Sequence, residues 1–130
     1  MVMRYNVAAA SQHYKKIELE SRVTEANAHG LVSLLYKELL VTLDLLVVSA
    51  NGGAQISGNK YYSKALSIII SLASSIDLTR GGDLAKTLQR VYRGALSELS
   101  KAAQWNDVAK IEEVREAISQ IANAWNAIAE

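Results

Sequence analysis

Apolar positions recur every three or four residues through most of this chain, the period of an α-helix that buries one face. The clearest case lies near the C-terminus. There Ile111, Val114, Ile118, Ile121, Trp125 and Ile128 alternate by three and four, while Lys110, Glu112, Glu113, Arg115 and Glu116 take the positions between. This predicts a helix beginning at about Asp107 with a bundle or coiled-coil seam and a solvated back. A second stripe, Leu84, Leu88, Val91, Ala95 and Leu99, widened by Tyr92 and Leu96, predicts a helix that opens near Gly82 or Asp83. A third, Tyr62, Ala65, Ile69, Leu72, Ala73 and Ile76, predicts one over about Asn59 to Ile76, with Ile68 and Ile70 on other faces. Residues 34–50, LLYKELLVTLDLLVVSA, depart from the one-stripe pattern. Their leucines and valines project around most of the circumference, with only Lys37, Glu38, Thr42, Asp44 and Ser49 as polar relief. A bundle helix needs one apolar stripe, so part of this surface requires a cover from elsewhere.

Turn residues cluster at SANGGAQISGN (49–59), DLTRGGD (77–83) and QWND (104–107), and three breaks separate four long helices. The first is expected from about Ala28 to Ala50 with Asn27 as its N-cap. Short connections favour antiparallel neighbours, so the expected fold is all-α: an antiparallel up-down-up-down four-helix bundle. Residues 1–20 show a weaker pattern and are expected to form a mobile arm or a short helix. Trp125 falls on the last seam and is expected in the core, whereas Trp105 sits at a helix junction and is expected to plug the bundle end. Tyr61 and Tyr62 point to different sides, so at most one belongs to the core, and Tyr36 suits either a core or a binding role.

Composition narrows the functions open to such a bundle. At 130 residues the chain is expected to be one domain, 1–130, long enough to bury a real core. A net charge of +1 with both signs interspersed argues against nucleic acid as a partner. The N-terminal stretch has no sustained apolar region of the secretory kind, so the expected location is the cytoplasm. Membrane insertion of residues 31–50 is disfavoured because Lys37, Glu38 and Asp44 interrupt the stretch.

There is no cysteine, hence no disulfide framework and no thiolate site. Bundle metal centres use Glu-x-x-His pairs, and neither His13 nor His29 has a glutamate at that spacing, so no metal or other cofactor is expected. The double glycines at 52 and 81 lack the phosphate-loop pattern and read as turns. An anion-binding helical enzyme would draw on Lys86, Arg90 and Arg93, but their register relative to Leu84, Leu88 and Val91 places them mainly outside. Enzymatic activity is therefore not expected.

Three segments carry a family resemblance. The stretch SSIDLTRGGDLAKTLQRVYRGALSEL at 74–99 resembles the flagellar secretion chaperone FliS family through Ile76, Asp77, Gly81, Gly82, Asp83, Leu84, Ala85, Leu88 and Tyr92. RVTEANAHGLVSLLYKELL at 22–40 resembles the family's entry into its first long helix through Leu31, Val32, Leu34, Leu35 and Tyr36. The tail ANAWNAIA is similar through Trp125. The chain departs from the family pattern at Asn27 and Ala28, where Ser-Pro is usual, and at Lys37 and Glu38, where Asp-Gly is usual.

The resemblance implies a chaperone that binds the C-terminal segment of flagellin, prevents early polymerisation and delivers it to the flagellar export apparatus. The disordered client would fold into helices on apolar grooves. The client-binding residues expected on that basis are Tyr14, Leu31, Leu35, Tyr36, Leu39, Leu43, Tyr61, Tyr62, Ile69 and Leu72. An N-terminal arm carrying Tyr14, Ile17 and Leu19 would cover part of the surface when the client is absent. The competing expectation is a homodimer in which a second copy covers the surplus apolar face.

Overall fold

The computed structural model describes residues 25–76 and 78–128. They form four helices: α1 (Glu25–Asn51), α2 (Lys60–Ser74), α3 (Leu78–Trp105) and α4 (Val108–Ala127). Each packs on the next and α4 returns to α1, which closes the ring of a four-helix bundle. Cross-helix pairs give the directions. Ser33 meets Asn126 and Asp44 meets Arg115, so α1 and α4 are antiparallel. Glu38 with Lys64 and Ser49 with Asn59 set α1 against α2 in the same way, and Glu98 with Lys110, close to the short connection between Trp105 and Val108, turns α4 back along α3. The expected all-α architecture is the observed one.

Local chemistry explains most of the boundaries. Asn59 caps α2, its side-chain oxygen accepting from the Tyr61 N–H at 2.9 Å, and Asp107 caps α4 by accepting from the Ala109 N–H at 3.0 Å. At the start of α1 the expectation fails: the helix begins at Glu25, which places Asn27 inside it rather than at its cap. α3 also begins earlier than its stripe suggested. One turn from Leu78 precedes a break at Gly82, whose φ of 58° and ψ of −141° lie outside the helical region, and the long run follows from Asp83. A positive φ of this kind favours glycine, which accounts for the second glycine of the pair.

The core is built from one stripe per helix: Val32, Tyr36, Leu39, Leu43 and Leu46 of α1; Ala65, Ile68, Ile69 and Leu72 of α2; Ala85, Leu88, Tyr92, Ala95, Leu99 and Ala102 of α3; and Ile111, Val114, Ile118, Ala122 and Trp125 of α4. On α3 this corrects the expected stripe, for Ala85 is buried while Leu84 is exposed and Val91 only half-buried. On α4 the seam holds at Ile111, Val114, Ile118 and Trp125, but Ala122 rather than the half-buried Ile121 is in the core, and Ile128 is exposed.

Trp105 is the largest correction. It is 69% exposed, and Ile56 from the α1–α2 connection fills the bundle end instead. The Ile56 N–H donates to the Asn106 side-chain oxygen at 3.0 Å, which ties the two connections together. At the other end His29 stacks on Trp125 with ring centroids 4.4 Å apart. The Trp125 indole N–H donates to the His29 carbonyl at 3.1 Å, and the His29 Nε2 lies 2.9 Å from the Trp125 carbonyl, an arrangement that joins the start of α1 to the end of α4.

Candidate functional site

The surplus apolar character of α1 resolves into two opposite stripes. Val32, Tyr36, Leu39, Leu43 and Leu46 follow a 4-3-4-3 spacing into the core. Leu34, Val41, Leu45 and Val48 follow a 7-4-3 spacing on the other side, and they are 41%, 48%, 42% and 69% exposed. These four lie on one outward arc of the helix, with the exposed Lys37 and Glu38 in the turn between Leu34 and Val41. Thr42, buried between the two stripes, is satisfied within its own helix, its hydroxyl donating to the Glu38 carbonyl at 2.7 Å.

Ion pairs border the strip on both flanks. On the α2 side Glu38 lies 3.1 Å from Lys64. On the α4 side the Arg115 guanidinium donates to both carboxylate oxygens of Asp44, at 2.7 and 3.3 Å, and this carboxylate raises the Arg115 pKa. Solvent-exposed pairs of this sort contribute little to stability. Their effect is to place a charged rim around an apolar centre, the layout common to protein interfaces. Among the described residues, no group of three or more His, Cys, Asp or Glu side chains is arranged to hold a metal ion, and no helix is long and apolar enough to cross a membrane.

The residues expected to bind a client fall into three sets. Tyr36, Leu39, Leu43, Ile69 and Leu72 are all at or near zero exposure and belong to the shared core. Leu31, Leu35, Tyr61 and Tyr62 are half-buried. Tyr61 stands one turn before Lys64, hence on the α1-facing side of α2, and Lys60 lies 5.2 Å from the centre of its ring. Tyr14, like Ile17 and Leu19, lies outside the described residues. The outward strip of Leu34, Val41, Leu45 and Val48 was not among the expected site residues. A period calculation on α1 separates it, because these positions cluster within a narrow arc opposite Leu39 and Leu43 at 100° per residue.

Comparison with known proteins adds an independent line. A family model described as flagellar protein FliS matches residues 10–130. A flagellar secretion chaperone FliS of Vibrio cholerae serotype O1 is 32% identical over 90% of this chain and 86% of its own length. A protein of the same name from Salmonella typhimurium is 30% identical over 93% of this chain and 90% of its own. The flagellar secretion chaperone FliSB of Pseudomonas aeruginosa is 29% identical, covering 92% of this chain and 94% of the relative.

Proposed function

The chain belongs to the FliS family of flagellar proteins, and from that membership we propose that it is a cytoplasmic export chaperone for flagellin, without catalytic activity. Its client is the disordered C-terminal segment of flagellin, which it keeps from polymerising and passes to the export apparatus. The observation that carries this reading is the ion-pair-bordered apolar strip on α1, a long surface with no converging catalytic groups. An amphipathic client helix laid along it would cover Leu34, Val41, Leu45 and Val48, with Leu31, Leu35 and Tyr61 at its margins, while Tyr62 stands on the other side of α2. Tyr36, Leu39, Leu43, Ile69 and Leu72 then support the surface from beneath and reach a client only where helices part.

A homodimer is the competing occupant. The strip exposes between 41% and 69% of each of four aliphatic residues, which falls short of the ~800 Å² per partner of a standard stable interface. That favours one client helix over a second copy. Isothermal titration of the protein with the flagellin C-terminal peptide tests the choice. Saturable one-to-one binding with a large negative heat-capacity change is the expected result, because coupled folding buries apolar surface. Absence of binding, together with a stable dimer in solution, would overturn the chaperone reading in favour of self-association.

A further inference from the structure

Between Lys86 and Lys101 the outward face of α3 carries charge of one sign, with Asp83 on the same side one turn earlier. Lys86, Arg90, Arg93 and Lys101 are all exposed, and at 100° per residue they share the side opposite Tyr92 and Leu99. Over the 15 steps from Lys86 to Lys101 the face runs about 22 Å. Lys86, Arg90 and Arg93 make no hydrogen bond or ion pair among the described residues, and Lys101 makes only a contact of 3.4 Å with Glu98. Among the described residues no other ion pair or hydrogen bond ties these cations to the fold.

A second feature lies in the middle of the same face. Gly94 is exposed in the interior of α3, and a Cβ added there would meet nothing within 4 Å. Its φ is not in the positive region that requires glycine. A mid-helix glycine costs about 0.5–1 kcal/mol relative to alanine, and no neighbouring helix needs the space. With Ser97 one turn on, it leaves a low point in the helix surface between Arg90 and Arg93 on one side and Lys101 on the other.

We propose that the outward face of α3 docks an acidic helix of a partner protein, with Gly94 and Ser97 admitting its backbone and Arg90, Arg93 and Lys101 pairing with its carboxylates. Arginine at the centre suits this, because its planar fork pairs bidentately with a carboxylate. A phosphate backbone fits less well: the whole chain is only +1, and Asp83, Glu98 and the exposed Glu112, Glu113 and Glu116 oppose the long-range field that a polyanion follows. A second copy presenting its acidic α4 is the competing occupant, and self-association that the double arginine reversal abolishes is the outcome that marks it. α1 and α3 are diagonal in the ring, so this face and the α1 strip are on opposite sides and can be occupied together. The proposal does not rest on the flagellin reading.

The test uses the full chain and a fluorescent alanine-based helical peptide carrying Glu at every fourth position, with a Gln version as control. Anisotropy should show salt-sensitive binding of the Glu peptide alone. Arg90→Glu with Arg93→Glu should weaken it by about tenfold or more. Gly94→Leu and Gly94→Gln, which keep every charge, should weaken it too, while Gly94→Ala should raise the melting temperature. Any of four results would overturn the proposal: no binding of the Glu peptide, equal binding by the Gly94→Leu and Gly94→Gln proteins, tighter binding of a DNA duplex than of the peptide, or self-association that the double arginine reversal abolishes.

Discussion

At the scale of single residues, the most informative pair is Tyr36 and Tyr92, whose hydroxyl oxygens approach to 2.5 Å in the centre of the bundle. Burial drives the Tyr36 pKa from 10.0 up to about 12, and the hydrogen bond to Tyr92 only partly opposes it. The folded state therefore holds this proton more tightly than the unfolded chain. Below pH 10 both states carry it and the contribution is complete, and it is lost as the pH rises through the folded value of about 12. Urea denaturation of wild type and Tyr36→Phe should diverge over that interval, with wild type losing on the order of 2 kcal/mol that the variant does not. Parallel curves from pH 9 to 12 would show that Tyr36 does not titrate as described. Sequence left Tyr36 open between core and surface for a physical reason: a tyrosine has an apolar body and a polar tip, and the partner for its tip lies 56 positions away.

At the scale of elements, what the sequence disclosed depends on whether the determinant is local. The starts of α2 near Asn59 and α4 near Asp107 were readable, and each proves to be a cap whose side chain bonds a backbone N–H two residues on, whereas the cap expected at Asn27 lies inside α1. The break at the second double glycine was readable too, but not the turn from Leu78 before it, which a kink at Gly82 separates from the long run. On α3 hydrophobicity favours Leu84 over Ala85, whereas it is Ala85, seven positions before Tyr92, that falls on the inner stripe. Trp105 failed similarly. A large aromatic at a junction is a natural plug, yet Ile56, 49 positions earlier in sequence, occupies the space. Gly82 gives the prediction at this scale. Gly82→Ala meets no steric neighbour, so its cost is purely that of the backbone angle, about 1–3 kcal/mol. Thermal melts should show Gly82→Ala destabilised and Gly94→Ala stabilised; the same sign for both would mean that φ at residue 82 is not what requires glycine there.

At the scale of the whole molecule, the first helix shows why a fold and a binding surface are not equally legible in one stretch of sequence. Both stripes of α1 are written in leucine and valine, and composition alone cannot say which of them the bundle consumes. Packing decides: the stripe through Leu39 and Leu43 joins those of the other three helices, and the one through Leu34, Val41, Leu45 and Val48 is left outside. The two stripes should respond oppositely to substitution. Leu39→Ala or Leu43→Ala should cost about 2–5 kcal/mol of stability, because each removes a fully buried side chain from a core that cannot collapse completely. Val41→Ser with Leu45→Gln should change stability by less than about 0.5 kcal/mol each, as for surface positions, while sharply weakening the flagellin peptide in titration. Should the outer pair destabilise the bundle as much as the inner residues do, α1 would have no face to spare, and the strip could not be the place where a client folds.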